Sequence, residues 1–320
     1  MDPSRAPENE SLLSSSSGPA SWDPFHRPLD SIQPWHFRPL AAVMVVVTSL
    51  SLAENLAVIL VTLKFKQLRQ PVNYITVNLS VADFLVSLTG GTISFLTNLK
   101  GYFYMGHWAC VLEGFAVTFF GKLDFRCSLA LLALQRDLVI CHPRVRPAAL
   151  GIVWVWLFSL LCTIPPALGW SSYTTSKTGT TCEPNWYSGA YADHTYIIVL
   201  FTTCFIVPLL VILVSYGKLV LKLKKKHVSC FLECFIFPLK VSDTQGRLGT
   251  TRRPERQVTR MVVVMIFAFL ICWMPYAAFS ILVTADPSIE LDPWLAAIPA
   301  FFSKTATVYN PIIYVFMNKQ

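Results

Sequence analysis

The chain has 320 residues, of which 54% are hydrophobic and 14% are charged, and its mean hydropathy is +0.52. This composition excludes an ordinary soluble domain of the same length and indicates a membrane protein embedded in lipid. The net charge of +8 comes from basic loops between apolar segments, so it does not predict a nucleic-acid partner.

Residues 1–38 precede the first apolar run and are rich in serine and proline. This composition predicts a disordered extracellular tail. No apolar segment follows a basic start, so we expect no cleavable signal peptide, and the first membrane span should act as the anchor. Asn9 begins an Asn-Glu-Ser triplet, which is an acceptor for N-glycosylation on the outer side of a membrane.

Hydropathy predicts seven membrane-spanning helices, at 39–63, 73–97, 108–141, 149–170, 195–221, 261–284 and 293–317. Each run is near or above the roughly 20 residues that a helix needs to cross a bilayer. The expected fold is therefore all-α, a seven-transmembrane helix bundle formed by residues 39–320.

Basic residues predict the orientation of this bundle. The loops after the first, third and fifth runs hold most of the lysine and arginine, whereas the opposite loops carry only Lys100 and Lys177. The basic loops should lie in the cytoplasm, which places the N-terminus outside. Residues 222–260 are expected to form an extended cytoplasmic loop with an apolar insert at 226–239. The basic loops are those of a solvated surface beside anionic membrane lipid, and a docking surface for a cytosolic partner can coexist with it.

The nine cysteines lack the spacing of a metal site in most of the chain. His227, Cys230 and Cys234 could in principle bind a metal, but a lipid-facing or unstructured insert is favoured there, and we expect no metal. Only Cys110 and Cys182 fall on the outer side, at the start of the third run and in the loop before the fifth. Because that compartment is oxidising, the two cysteines should form a disulfide. The remaining cysteines lie in spans or face the reducing cytosol.

Lys304 lies ten positions into the almost uncharged stretch from Trp294 to Met317. This depth is about 15 Å along a helix, too far for the side chain to reach either surface of a hydrocarbon layer about 30 Å thick. A charge there costs about 2.5–3.5 kcal/mol, so it needs an interior partner, and Glu113 in the third run is a candidate. A buried amine opposite a buried carboxylate suggests a lysine that binds a carbonyl group, with a counter-ion; a plain buried salt bridge is the alternative.

Other polar residues lie inside the apolar runs, among them Asn55, Asp83, Arg136 and Asn310. They could simply form hydrogen bonds between helices, or they could form a network that lets the bundle adopt two packings of similar energy. Prolines in the last three runs are candidate hinges, because each removes a backbone hydrogen bond within a span. These prolines are Pro208, Pro275 and Pro311.

Several motifs connect these residues. They are LSVADF around Asp83, WACVLEG around Glu113, CEPNWYS from Cys182, CWMPY around Trp273, and FFSKTATVYNPIIY, which joins Lys304 to Tyr314. From about Trp35 to Gln320 the chain resembles the rhodopsin-like G-protein-coupled receptors, and among them the opsins, most closely the non-visual vertebrate ancient opsins.

This resemblance implies a covalent chromophore. Lys304 would attach retinal, in its 11-cis form in the dark, and Glu113 would be the counter-ion. Trp273 and Tyr276, with Phe269 one turn below, resemble the aromatic floor of the retinal pocket. The implied protein is a multi-pass receptor of the plasma membrane and not an enzyme.

The resemblance also implies a signalling path to a heterotrimeric G-protein. The residues that would relay the light response to the cytoplasmic face are Asn310, Pro311, Tyr314, Asp83 and Asn55. Arg136 would hold the dark state closed and then contact the G-protein, and Glu255 could supply it with a partner from the sixth span. The implied function is a non-visual photoreceptor, and a dimer is a further expectation.

The third span departs from the family between Gly121 and Arg136. Its sequence GKLDFRCSLALLALQR carries three extra charges and is one residue longer than usual. At about 100° per residue, Asp124 falls about 20° from Glu113, and the extra residue would turn Arg136 by about 100° unless a π-bulge absorbs it. Gln135 stands where the family usually has an acid, which should weaken the dark-state contact of Arg136.

These departures keep two other functions open. The chain could be a retinal-binding photoisomerase, which keeps the chromophore without signalling, or a non-signalling isoform. The sequence stops at Gln320, soon after the seventh run, without a serine- and threonine-rich tail. It is therefore either truncated or a form that lacks the conventional shut-off.

Overall fold

The structure is a computed structural model, which describes residues 23–30, 32–69, 71–124, 148–215, 217–218, 263–264, 267, 270–271, 274–275, 277–286, 289 and 292–317. Several predicted site residues lie outside these ranges: Asn9, Arg136, Glu255, Phe269, Trp273 and Tyr276. The insert at 226–239 lies outside them as well. Tyr314 is described only as part of a helix backbone.

The described residues are almost entirely helical, as the hydropathy predicts. The helices are α1 (Pro34–Lys64), α2 (Pro71–Val86), α3 (Thr92–Lys100), α4 (Gly106–Ala116), α5 (Ala148–Thr163), α6 (Tyr191–Phe201) and α7 (Pro293–Met317). A further helical stretch covers 277–285. Two short strands, β1 (Tyr173–Thr175) and β2 (Cys182–Pro184), form an antiparallel hairpin between α5 and α6.

Three π-helical segments interrupt the membrane-crossing helices. Ser87–Gly91 joins α2 to α3, Val117–Asp124 continues α4, and Thr202–Ile206 continues α6 just before Pro208. A proline ring clashes with the carbonyl four residues earlier, so the third segment accommodates Pro208. Continuous helices long and apolar enough to cross a membrane are Trp35–Lys64, Asn73–Lys100 and Tyr191–Ser215, and Ala149–Thr163 is a shorter apolar helix.

The π-helical segment after α4 corrects one expectation about the third span. A π turn winds more residues than an α turn, so the step of about 100° per residue does not hold between Val117 and Asp124. The estimate that placed Asp124 on the same helix face as Glu113 therefore does not apply to this backbone. The segment is also the kind of local insertion that the extra residue before Arg136 requires.

The hairpin packs against α4 at one end of the bundle, called here the hairpin end. The predicted disulfide joins Cys110 of α4 to Cys182 of β2, with the two Cα atoms 5.3 Å apart. Both cysteines belong to a buried cluster with Phe103. Phe25, which precedes α1, packs on this cluster. Its ring contacts the Phe103 ring edge-on, with the ring centroids 6.2 Å apart.

Glycines allow the close helix contacts near this end. A Cβ atom on Gly90 would lie 2.2 Å from Val117 of the segment after α4, and one on Gly91 would lie 2.6 Å from the Thr48 hydroxyl of α1. Neither distance is sterically allowed, so only glycine lets the π turn at Ser87–Gly91 sit between these neighbours. The turn thereby positions α3, which packs against α1 and whose Ser94 side chain reaches residues of α4 and α7.

Candidate functional site: the buried Lys304 and Glu113 pair

Lys304 and Glu113 meet inside the bundle, as their sequence context predicts. The Lys304 Nζ atom of α7 lies 3.7 Å from Glu113 Oε1 of α4. The Glu113 side chain is fully buried and the Lys304 side chain is only 13% exposed. An ion pair with this little solvent contact is screened much less than a surface pair, so each charge strongly favours the other.

Ser94 of α3 bridges the two charged groups. Its Oγ donates a hydrogen bond to Glu113 Oε1 at 3.0 Å and accepts one from the Lys304 amine. Sequence reasoning missed Ser94, because serine and threonine are frequent in these spans and nothing in the sequence distinguishes this one. The hydroxyl fixes the direction from which the amine approaches the carboxylate.

The second oxygen of Glu113 is held by the hairpin. Its Oε2 accepts a hydrogen bond from the backbone N–H of Cys182 at 2.9 Å. Hydrogen bonds to a charged group are stronger than neutral ones, so this amide favours the ionised carboxylate. The disulfide from Cys110 to Cys182 therefore has a second effect, because it holds the amide that orients Glu113.

This arrangement fits the chemistry of a lysine that binds a carbonyl compound. A neutral amine condenses with an aldehyde, and the linkage nitrogen keeps a proton in a buried site only when a carboxylate is near. Lys304 provides the amine, and Glu113 provides the carboxylate at the required distance. The two side chains therefore fit an aldehyde ligand that is attached through an amine.

A second buried carboxylate, missed by the sequence analysis, lies on the hairpin. Glu183 follows Cys182 in β2 and is only 7% exposed. Its Oε1 accepts a hydrogen bond of 2.7 Å from the Tyr187 hydroxyl. The only available signal was its position in the CEPNWYS motif, which gives no information about which way the side chain points.

The polar residues deeper in the bundle form contacts between α1, α2 and α7. Asn310 donates a hydrogen bond to Asp83 Oδ2 at 2.8 Å. Asn55 donates to the backbone oxygens of Ser51 and Thr307, at 2.9 and 3.1 Å. These side chains are buried, so the structure pairs Asn310 with Asp83 and joins Asn55 to the backbone of α7. Pro311, which follows Asn310, is buried inside α7.

Comparison with known proteins identifies the family of this fold. Residues 54–314 match the family described as 7 transmembrane receptor (rhodopsin family). Opsin-VA of Rutilus rutilus is 64% identical over 304 residues, which cover 93% of this chain and 75% of the relative. Vertebrate ancient opsin of Salmo salar is 61% identical, with coverage of 93% and 88%. Pineal opsin of Petromyzon marinus is 62% identical, with coverage of 93% and 65%.

The fold is also that of a solved structure. The crystal structure of squid rhodopsin superposes with a TM-score of 0.82 at 24% identity, covering 91% of this chain and 84% of that one. The seven-helix fold and the multi-pass membrane location predicted from hydropathy are thus confirmed, and the chain is a receptor and not an enzyme. The chain belongs to the rhodopsin family of seven-transmembrane receptors and, within that family, to the opsins.

Proposed function

We propose that this chain is a non-visual photoreceptor opsin that binds retinal covalently through Lys304 and activates a heterotrimeric G-protein in response to light. The observation that carries the proposal is the buried pair of Lys304 and Glu113, 3.7 Å apart. The pair occurs in a chain 61–64% identical to an opsin-VA, a pineal opsin and a vertebrate ancient opsin. The dark state holds the 11-cis isomer, and the hairpin end faces the outside of the plasma membrane.

Retinal supplies an aldehyde for attachment and a conjugated chain that absorbs visible light when the linkage nitrogen carries a proton. The residues of the chain hold that proton. Glu113 supplies the negative charge, the Ser94 hydroxyl fills the space between the two groups, and the Cys182 amide orients the carboxylate. Trp273, Tyr276 and Phe269 form the aromatic floor of the pocket in this proposal.

The signalling part of the proposal uses the polar contacts between α1, α2 and α7. Asn310 with Asp83, and Asn55 with the α7 backbone, hold these helices in one packing. Movement of α7 near Pro311 would exchange these hydrogen bonds for others, which gives the bundle a second packing. Tyr314 is the next residue of this relay toward the cytoplasm.

At the cytoplasmic face, Arg136 contacts the G-protein after activation and is held by Glu255 before it. The G-protein docks on the basic surface of the cytoplasmic loops. Asn9 carries a glycan, and the receptor forms a dimer.

Retinal binding is tested by adding 11-cis-retinal to the purified full-length chain in the dark and recording its absorption spectrum. A band in the visible that disappears on illumination in hydroxylamine supports covalent binding with a protonated linkage. A spectrum that remains that of free retinal in the near-ultraviolet refutes it.

A photoisomerase or non-signalling isoform is the second candidate, because Gln135 replaces an acid and Lys122, Asp124 and Arg126 add charge to the third span. Nucleotide exchange by a G-protein, measured in light and dark, separates the candidates. The receptor increases exchange in light, whereas the photoisomerase changes the isomer of retinal and leaves exchange constant.

The replaced acid also gives a sharper test of signalling. Because Gln135 cannot form an ion pair with Arg136, the retinal-free receptor should show raised basal exchange. Gln135→Glu should lower this basal activity. If exchange is absent in light and dark alike, deletion of one residue between Gly121 and Gln135 should restore more activity than Gln135→Glu.

A further inference from the structure

The carboxylate of Glu183 is buried close to the Lys304 and Glu113 pair. Its side chain is 7% exposed, and it follows Cys182, whose amide donates to Glu113 Oε2, so the charge of Glu183 lies within electrostatic range of Glu113 and Lys304. Burial of a carboxylate is costly unless a positive charge or hydrogen bonds stabilise it. Among the described residues near Glu183 the cations are Lys304 and Lys177, and of these two only Lys304 is largely buried, whereas Lys177 is exposed.

The strand geometry of β2 explains how Glu183 reaches this position. Successive side chains of a strand point to opposite faces. Cys182 points toward Cys110 and the cluster around Phe103, so Glu183 points away from that cluster. The Cys182 backbone amide lies on Glu113 at 2.9 Å, which brings the next residue near the same carboxylate.

We propose that Glu183 is a second counter-ion, which shares the positive charge on Lys304 with Glu113 and so stabilises the protonated linkage to retinal. This inference rests on the proposed function, because it concerns the same chromophore site. It assigns to the hairpin an electrostatic role in addition to covering the bundle.

The Tyr187 hydroxyl is a hydrogen-bond donor to Glu183. Burial raises the pKa of Tyr187 well above its usual range, and the negative charge of Glu183 raises that pKa further. Tyr187 therefore remains a neutral donor to Glu183 Oε1 at 2.7 Å. The Lys177 amine lies 4.8 Å from the centre of the Tyr187 ring and adds a positive charge on that side. The charged and titratable groups around Glu183 thus include Glu113, Lys304, Tyr187 and Lys177.

The first test is a spectral titration of the pigment in lipid nanodiscs. Glu183→Gln keeps the size of the side chain and an oxygen that accepts from Tyr187, but it removes the charge. The midpoint of the change from visible to near-ultraviolet absorption should fall by about one pH unit or more. Asp193→Asn is the matched control. Asp193 lies in α6, its side chain is also 7% exposed, and its Oδ2 accepts a hydrogen bond from the Asn185 side chain at 3.5 Å. A midpoint equal to that of wild type and of the control overturns the proposal.

A second test needs no retinal. In the unliganded full-length protein, the rate of reductive methylation of Lys304 by formaldehyde and cyanoborohydride is followed against pH by peptide mass spectrometry. Only the neutral amine reacts, so removal of the Glu183 charge should move the rate profile to lower pH. An unchanged profile contradicts the inference. The two tests can also give different results. If wild type forms no pigment but Glu183→Gln still moves the methylation profile, retinal binding is refuted, whereas the electrostatic effect of Glu183 on Lys304 is supported.

Tyr187→Phe covers the case in which Glu183→Gln does not fold. It leaves the carboxylate in place but removes the hydrogen bond from the Tyr187 hydroxyl that holds Glu183 Oε1, so the negative charge is no longer fixed near the linkage. The midpoint of the change from visible to near-ultraviolet absorption should then lie below that of wild type, in the same direction as for Glu183→Gln. Spectra of the two proteins that superimpose from about pH 4 to pH 8 would show that Glu183 does not act on the linkage.

Discussion

Replacement of Glu113 by glutamine tests the main counter-ion directly. The carboxylate oxygen lies 3.7 Å from the Lys304 Nζ atom. At an effective dielectric constant of about 20, an ion pair at that distance contributes about 4 kcal/mol. One pH unit corresponds to about 1.4 kcal/mol, so loss of the charge should lower the midpoint of the spectral titration by about three units.

The glutamine side chain keeps the shape of the site. Its amide oxygen can still accept one of the two hydrogen bonds, from Ser94 or from the Cys182 amide. The expected result is therefore a folded pigment whose absorption at neutral pH has moved from the visible to the near-ultraviolet. Added chloride should restore part of the visible band, because a small anion can replace the missing charge.

The assay is an absorption titration from about pH 4 to pH 10, a range wide enough to contain a shift of about three units. Glu54→Gln is the control, because Glu54 is another carboxylate within a membrane helix, on α1. A visible band that keeps the wild-type midpoint in Glu113→Gln would refute the assignment of Glu113. Glu183 and Asp124 would then be the remaining carboxylates to test.

Three further predictions concern the same site. Lys304→Ala should abolish covalent attachment of retinal. Expression should be unchanged, because Glu113 can take up a proton instead of remaining an unpaired buried anion. Borohydride trapping and peptide mapping will detect any label on another lysine. Ser94→Ala should lower the titration midpoint by about one to two units, less than Glu113→Gln, because it removes a hydrogen bond to a charged group; a fall as large as that of Glu113→Gln would contradict the bridging role. Joint replacement of Cys110 and Cys182 by serine should lower the free energy of unfolding by about 4 kcal/mol, given their separation of 72 residues; an unchanged thermal melting curve would contradict this.

The sequence by itself determined the membrane fold and the central pair. A bilayer requires apolar runs of a set length, so hydropathy was sufficient to predict the helices. An isolated charge in hydrocarbon is costly, so Lys304 had to have an interior partner, and the choice of acids within apolar runs was small. The predicted outer location of Cys110 and Cys182 was sufficient to predict the disulfide that the structure contains.

Only the tertiary structure decided which polar groups complete the site. Ser94 is one of many hydroxyl residues in the spans, and its contact with Glu113 depends on how α3 packs between α4 and α7. The Cys182 amide and the direction of Glu183 depend on the path of the hairpin. Helical periodicity also failed after Val117, because a π segment changes the angle between residues. Contacts between distant segments are set by packing, and no local pattern in the sequence carries that information.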